Sequence, residues 1–408
     1  MKKTFGSQNF DRGFWSLADQ GVVSLGNFLT QIILARHLLK ADYGVLALLF
    51  GVVIFLNQIH AGSVSYALTI KGAQADPEGL RSMTADSLVL TAGLAAFEMG
   101  VVFVASGILH HVYLAAWAIL AMLFWQLQET VRRALMAHFR YRDVIWGDAG
   151  SYLGQAVVIA LLAHFGKLNS GLAFIVVAST SAVACAQQLL MLGVSKPDLH
   201  RAREMIRTSW QLGRWVVLTN LFNAFTLMCF PWTLALSRGP QEAASFQAMI
   251  NVLGVSHPVI MSVGNLIVPA ATKARKEAGT GAASFSALRY GSQGGALLLP
   301  YFVLLLIRPT QVLSLFYGAS SSYAGLGGLL RIFVVAYLFA YVGSVLGGLL
   351  NGLERPKSVF VAQLVATCAG LGLGLPLIAG SGLAGASAGL ATMNVTRAGI
   401  SGAYVSSL

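Results

Sequence analysis

Long runs of apolar residues constrain the fold of this chain more than any other feature. About twelve runs approach or exceed the ~20 residues that a helix needs to cross the hydrocarbon core of a bilayer. Their approximate spans are 13–35, 43–69, 83–108, 113–130, 143–165, 169–194, 211–236, 244–270, 286–307, 324–352, 357–379 and 380–404. The runs lack the alternation of barrel strands, and a chain in lipid must satisfy its own backbone hydrogen bonds. The predicted fold class is therefore an all-α polytopic membrane protein with about 12 transmembrane helices.

Charge is scarce and unevenly placed. Only 10% of the 408 residues are charged, 56% are hydrophobic, and the mean hydropathy is +0.71, which excludes an ordinary soluble protein. Of the 27 lysines and arginines, 20 fall on one side of the predicted topology and five on the other. Cytoplasmic loops carry the excess, so we expect both termini in the cytoplasm. The net charge of +12 then indicates attraction to membrane lipids, and no nucleic acid is expected as a partner.

The cysteines give no indication of a disulfide framework or a metal site. Cys185, Cys229 and Cys368 all fall within predicted spans, as expected of small buried apolar residues. Neither a CxxC nor an HExxH pattern occurs in the sequence, so we expect no cofactor and no metal. The first apolar segment is too long for a signal-peptide core and lacks a small-residue cleavage pattern, which predicts an uncleaved first span.

A basic connector divides the chain into two halves. We expect six-helix bundles at 1–194 and 211–408, joined by a cytoplasmic linker at 195–210. The halves are faintly alike, since His60 in span two and His257 in span eight are 197 residues apart. An even number of spans in each half predicts a parallel pseudo-repeat around a central cavity.

Polar residues form stripes inside several spans. Span one carries one such stripe on a single helical face: Gln20, Ser24, Asn27 and Gln31. The other residues that we expect to line a cavity are Asn57, Thr219, Asn223, Asn251, His257 and Tyr341. Hydrogen bonding between helices, worth about 0.6 kcal/mol per contact, explains any single stripe equally well. Several stripes together favour a hydrated cavity.

Four segments resemble a known family: ARHLLKADYGVLAL, VGNLIVPAATKARKEAG, LSLFYGASSSYAG and GSGLAGASAGL. They are similar to polysaccharide transporters of the Wzx type, which share the multidrug/oligosaccharidyl-lipid/polysaccharide exporter superfamily with toxin extruders and lipid II flippases. The resemblance implies a V-shaped pair of six-helix bundles that opens alternately to each side of a bacterial inner membrane. The implied function is translocation of a polyprenyl-pyrophosphate-linked oligosaccharide from the cytoplasmic to the outer leaflet, for surface or exopolysaccharide biosynthesis. The implied partners are this lipid-linked oligosaccharide, membrane lipids, a polysaccharide polymerase with its export machinery, and H⁺ or Na⁺ as the coupling ion.

Two other functions remain open. A cation-coupled multidrug or metabolite extruder of the same superfamily would share the fold, and would have a smaller, more aromatic and less cationic cavity. A membrane-embedded polysaccharide polymerase would need outer loops rich in acids or arginines. The longest predicted outer loop, about 308–323, contains one charged residue, so we expect a transporter and not an enzyme.

Charged residues inside spans are the best candidates for function, because a charge at the helix centre costs roughly 2.5–3.5 kcal/mol. Those of the first half are acidic, whereas those of the second half, Arg331 and Arg397, are basic. Glu98 lies midway through span three in line with its polar positions. We predict that Glu98 couples transport to a cation, aided by His60, and that Asp19 is the reserve candidate. Packing is the alternative role for His60.

The arginine of span twelve is the candidate for substrate binding. Arg397 stays protonated in a low dielectric and offers a planar fork to phosphate oxygens, while Asn394 and Ser401 share its helical face. Arg214 and Arg289, at the predicted cytoplasmic starts of spans seven and nine, are placed to form an electrostatic funnel. The alternative is that Arg397 only reaches the phosphates of inner-leaflet lipids. Spans one and two lack the mid-membrane arginines that resemblance to lipid II flippases implies.

Overall fold

The protein is helical throughout the part of the chain that the structure, a computed structural model, describes. It describes the backbone of residues 2–193 and 195–407, and the side chains within them except at 2–14, 16, 17, 70, 199, 204–209, 211–220, 223, 265 and 269. These residues form helices and short connections and contain no strand, so the predicted all-α class is confirmed.

The chain divides into two compact units, Met1–Met228 and Cys229–Leu408. The helices of the first unit are α1 (Lys2–His37), α2 (Lys40–His60), α3 (Tyr66–Gly72), α4 (Pro77–Ile108), α5 (Ala115–Ala137), α6 (Tyr141–Asp148), α7 (Gly154–His164), α8 (Ser170–Leu192) and most of α9 (Leu199–Arg238). Two π-helical segments join α2 to α3 and α6 to α7, at Ala61–Ser65 and Ala149–Leu153. Each of these pairs therefore forms one span.

The second unit contains the end of α9 and six further helices. They are α10 (Pro240–Gly254), α11 (His257–Ile307), α12 (Pro309–Tyr317), α13 (Gly327–Gly352), α14 (Pro356–Ser381) and α15 (Leu383–Ser406). Helix α11 is broken at Ala278 and Gly279, where the backbone leaves helical geometry and Gly279 has a φ of 83°. Glycine adopts this positive φ without steric cost, so the sequence EAGTG marks the break.

Within the described residues, each of the twelve predicted runs falls mainly on helical backbone. Among the described residues, eight helices are long and apolar enough to cross a membrane. The bent pair Pro240–Gly254 and His257–Val268 would make a ninth. The remaining predicted spans lie on α1, α9 and α15, and their crossing of the membrane stays a prediction.

The predicted linker at 195–210 is partly helical, because α9 begins at Leu199. Asp198 precedes this helix and its Oδ1 accepts from the backbone N–H of His200 at 2.9 Å, which lowers the pKa of the Asp198 carboxyl. Asp86 of α4 accepts the Asp198 backbone N–H at 2.8 Å and pairs with Arg201 Nε at 3.4 Å. The start of α9 is thus fixed to α4. The boundary between the two compact units lies further along α9, and the division into bundles at 1–194 and 211–408 stays a prediction.

Helices α14 and α15 pack backbone against backbone. A Cβ atom placed on Gly385 would lie 2.4 Å from the backbone carbon of Leu377, and one on Gly389 would lie 2.7 Å from Gly374 Cα. In lipid, where hydrophobic burial drives helices together only weakly, glycines permit the close van der Waals contact that holds them. These glycines therefore serve the packing of the second unit.

We predict that Gly385→Ala lowers the thermal unfolding midpoint of the purified protein. The added methyl group would overlap backbone atoms, and overpacking typically costs about 1–3 kcal/mol. Gly399→Ala, on the same helix with no atom within 4 Å of the new methyl group, is the matched control and should leave the midpoint unchanged or raise it. Equal midpoints for the two variants would contradict this account of the contact.

Candidate functional site

Helix α5 contributes buried polar side chains on two of its faces. Gln126 and Thr130 are one turn apart and share one face, while Gln128 and Arg132 share another. All four residues are buried. Each face meets polar groups from other helices, so α5 organises two clusters.

The first cluster consists of His60, Thr91, Glu98, Gln126 and Thr130, and we call it the Glu98 cluster. Gln126 Nε2 donates to Glu98 Oε2 at 2.7 Å. His60 Nε2 lies 3.0 Å from Thr130 Oγ1 and 3.1 Å from Thr91 Oγ1, and the two hydroxyl oxygens are 2.8 Å apart. All five residues have no exposed surface. The structure thus places Glu98 of α4 and His60 of α2, predicted as partners, against neighbouring turns of α5.

Two threonine hydroxyls link His60 to the backbone of α4 and α5. Thr91 Oγ1 lies 2.9 Å from the Ser87 carbonyl, and Thr130 Oγ1 lies 2.9 Å from the Gln126 carbonyl. Since the two hydroxyls also lie 2.8 Å apart, either tautomer of His60 can complete this network. The other ring nitrogen, Nδ1, is buried without a hydrogen-bond partner in the described part of the chain. The cluster therefore leaves one nitrogen of the His60 ring without a hydrogen bond.

Glu98 lacks the partners that would offset an ionised carboxylate. Its Oε1 has no hydrogen bond among the described residues, and neither has Oε1 of Gln126. No basic side chain in the described part of the first unit forms an ion pair with Glu98. A charge in such a setting is costly, so the carboxylate needs a proton or a bound cation.

The second cluster is a buried ion network around Arg132, which we call the Arg132 cluster. Arg132 pairs with Asp19 at 2.8 Å, with Glu129 at 3.1 Å and with Asp148 at 2.5 Å. Arg133 pairs with the other Glu129 oxygen at 2.5 Å. The network joins α1, α5 and α6, and a π-helical segment follows Asp148 directly. Three carboxylates meet two guanidinium groups, so most of the charge is balanced internally.

Arg132 lies near the end of α5, which continues past the predicted span end near 130 to Ala137, and 9% of the Arg132 side chain is exposed. Its placement on the cytoplasmic side stays a prediction. The spacing of Glu129, Arg132 and Arg133 indicates a local pair, and only the fold brings Asp19 and Asp148 to the same guanidinium. Asp19 is engaged through Oδ2, while its Oδ1 is buried without a partner among the described residues.

The candidate substrate residues of the second unit are not all brought together. Arg397 is half-buried on α15 and makes no hydrogen bond or ion pair within the described residues of its unit. Asn394 and Ser401 are buried on the same helix, and Asn394 Nδ2 donates to the Leu390 carbonyl at 3.0 Å. Arg289 is exposed on α11, and the structure shows no contact between it and Arg397. The side chain of Arg214 lies outside the described residues.

The predicted cavity residues of the first unit differ in exposure. Gln31 accepts from the Tyr43 hydroxyl at 3.2 Å and borders a small cavity with Gln155 and Phe174. Gln20 is exposed and donates to half-buried Ser24 at 3.4 Å. Asn27 is also half-buried, and Oδ1 of Asn57 is buried without a hydrogen-bond partner in the described part. Their lining of a transport cavity stays a prediction.

In the second unit, three predicted cavity residues take part in local packing. Asn251 Oδ1 accepts from Gln247 at 2.8 Å within α10. The His257 ring stacks on a tyrosine ring of α13, with centroids 5.9 Å apart. Tyr341 donates its hydroxyl to the Gly291 carbonyl at 2.5 Å, which fixes α13 to α11. The side chains of Thr219 and Asn223 lie outside the described residues.

Comparison with known proteins gives a match in structure only. No protein-family model and no curated protein matches the sequence. Among solved structures, an inward-facing multidrug resistance MATE family transporter of the MOP superfamily has a TM-score of 0.75 at 14% identity, covering 94% of each chain. The protein has the MATE fold. The eukaryotic MATE transporter AtDTX14 gives 0.67 at 13% identity, covering 96% of this chain and 94% of its own. A MOP superfamily transporter from Pyrococcus furiosus gives 0.64 at 14% identity, covering 97% and 93%.

The MATE fold agrees with the superfamily that the sequence segments resemble. It supports a multi-pass membrane protein whose structural neighbours are transporters and not enzymes. These neighbours are multidrug and MATE transporters, so the Wzx-type specificity is a separate question from the fold.

We predict that Arg132→Gln strongly destabilises the protein. Removal of the guanidinium leaves buried carboxylates uncompensated, which typically costs about 3–5 kcal/mol. Lys273→Gln is the control, because 77% of the Lys273 side chain and 65% of its partner Glu277 are exposed, and an exposed pair contributes at most about 1 kcal/mol. Thermal unfolding in detergent measures both variants, and a similar small effect for the two would show that the Arg132 cluster does not hold α1, α5 and α6 together.

Proposed function

We propose that the protein is a cation-coupled exporter of organic solutes that works by alternating access, with the Glu98 cluster as its coupling site. The observation that carries this proposal is the fully buried Glu98 carboxylate, which has one amide donor and no cation beside it. The fold supports the proposal, because a multidrug resistance MATE family transporter is known in inward-facing and outward-facing conformations. The basic segments predict that both termini are cytoplasmic. Export here means transport from the cytoplasm to the other side of the membrane.

Charge balance explains how the cluster would couple an ion to a conformational change. A proton or cation on Glu98 removes the charge that is costly in a low-dielectric interior. The loaded and empty sites therefore differ in stability, and a conformation that exposes the site to water favours the empty form. An ion can drive the change only through such a difference in affinity between two conformations. His60 lies in the same cluster, and its Nδ1 has no hydrogen bond among the described residues.

We predict that Glu98→Gln abolishes transport while the protein still reaches the membrane. The amide keeps the shape of the side chain and removes its ability to take up a charge, so a loss of at least tenfold is expected. Glu78→Gln, on the exposed first turn of the same helix, is the matched control and should keep full activity. The assay is complementation of a deletion strain, scored by tolerance to a drug panel and by surface polysaccharide, at matched membrane levels. Undiminished activity of Glu98→Gln under every imposed ion gradient would refute the coupling role.

A second candidate function is translocation of a polyprenyl-pyrophosphate-linked oligosaccharide between leaflets, as the sequence resemblance implies. The observation that favours it is Arg397, a cation without a counter-charge in its own unit, since a phosphate would supply that charge. A pocket of reversed polarity is described for the Pyrococcus furiosus transporter, with the suggestion of a different function. The polarity of the binding pocket thus differs among proteins of this fold. A polar path for sugar and phosphates would leave the polyprenyl tail in lipid.

The deletion strain distinguishes the two candidates. If the protein is an oligosaccharide transporter, deletion leaves lipid-linked oligosaccharide facing the cytoplasm and abolishes surface polysaccharide. If it is a drug or metabolite exporter, the strain becomes sensitive to some compounds and keeps normal polysaccharide. Accessibility of the lipid-linked sugar to a lectin in inverted vesicles measures the first outcome, and growth inhibition measures the second.

A further inference from the structure

The Arg397 side chain lies beside two glycines of α13, Gly343 and Gly347, and we call the space over these glycines the glycine bed. A Cβ atom on Gly343 would lie 3.5 Å from Arg397 Cγ and Cδ and 3.6 Å from Nε. One on Gly347 would lie 4.0 Å from the Nη2 atom of Arg397. Gly343 and Gly347 are one turn apart, so the stem and guanidinium group extend along α13 over the space that larger side chains would fill.

Arg397 has no counter-charge in the second unit. The unit contains three carboxylates, and the sequence places none of them on α15. Glu277 lies 3.9 Å from Lys273, and Glu354 lies 3.5 Å from Arg275. Glu242 lies in the first turn of α10, beside Gly382. The guanidinium donors are therefore unused by the described residues of its unit.

Arg331 of the same unit, in contrast to Arg397, has a hydrogen-bond partner. Arg331 lies on α13, is exposed, and its Nε donates to the Leu306 carbonyl at 2.9 Å. It satisfies the end of a helix, as cations commonly do near helix C-termini. Arg397 is more buried and has no such partner among the described residues of its unit, although a charged group inside a membrane helix is costly unless it is paired.

We propose that Arg397, held on the bed of Gly343 and Gly347, binds an anionic group of the transported solute, a phosphate or a carboxylate. The proposal rests on the proposed transport function and names the class of its substrate. A guanidinium fork matches two oxygens of either group, and both hydrogen bonds are charge-assisted. The two glycines leave space along α13 for the Arg397 side chain, which a larger residue at either position would take up.

The anion has two possible sources with the same chemistry. One is a soluble organic phosphate or carboxylate, and the other is the pyrophosphate of a polyprenyl-linked sugar. A bulk lipid headgroup is the competing explanation, in which Arg397 only anchors α15 at the membrane surface. The probes are inorganic pyrophosphate, citrate, a polyprenyl pyrophosphate and phosphatidylglycerol. Each is tested with the purified full-length protein in phosphatidylcholine nanodiscs, and the thermal unfolding midpoint is recorded against probe concentration.

A rise in midpoint with either soluble anion or with the polyprenyl pyrophosphate is the expected result, and it identifies the source. Arg397→Gln should weaken this response at least about tenfold, because hydrogen bonds to charged groups are among the strong ones. Gly343→Val keeps the charge and fills the bed, so it should weaken the response similarly. Gly343→Ala places a methyl group at an ordinary contact distance of 3.5 Å and should retain binding. Arg331→Gln is the matched arginine control and should respond as the wild type does.

Three results would overturn the proposal: a wild-type response in Arg397→Gln, no response to any of the three non-bulk probes, or a response to phosphatidylglycerol alone. If Arg397→Gln does not fold, Gly343→Val and Arg397→Lys give the same decision, since lysine supplies charge without the planar fork. The binding assay uses no ion gradient. Active transport by Glu98→Gln would therefore refute the coupling site and leave anion binding at Arg397 standing, whereas loss of binding alone would leave the coupling site standing.

Discussion

The hydrocarbon interior of a bilayer offers no hydrogen bonds, and this constraint determines where every polar group of the protein lies. Helices satisfy their own backbone except at their ends. Several of those ends are completed by arginines from neighbouring helices. Arg81 donates to the last carbonyl of α8, Arg275 donates to the carbonyl that follows α13, and Arg238 donates to the last turn of α14. The basic residues that indicate membrane topology thus also tie helices together.

The same constraint distinguishes structural from functional charge in the two units. In the Arg132 cluster, carboxylates from α1, α5 and α6 meet one guanidinium group, and the ion pairs hold the three helices together. Glu98 and Arg397 have no such compensation among the described residues of their units. One is a buried acid and the other a half-buried base. Our proposals assign the missing charges to a coupling cation in the first unit and to an anionic solute in the second.

The Glu98 cluster shows which residues of a site can be predicted from the sequence pattern of single helices. The sequence places Glu98 and His60 in line with polar residues of their own helices, and this suffices to select them as candidates. Gln126 of α5 contacts Glu98, and Thr130 of α5 contacts His60. The sequence does not single out these two residues, because polar residues near the end of a membrane helix are common. Their role depends on which face of α5 meets α4 and α2. The ion pairs of Arg132 with Asp19 and Asp148 are not predicted for a related reason, since these partners are remote in the sequence.

The sequence by itself determined the helical membrane class, the positions of nearly all helices and the residues whose charge is costly in lipid, because these follow from apolar run length and from the energy of single side chains. Only the tertiary structure decided which of those charges are paired. Pairing depends on helix rotation and on contacts between distant segments, and glycine positions such as Gly343 and Gly385 set how closely those segments approach. A run of apolar residues specifies a helix, but the packing of that helix against others specifies which polar groups remain available to a ligand.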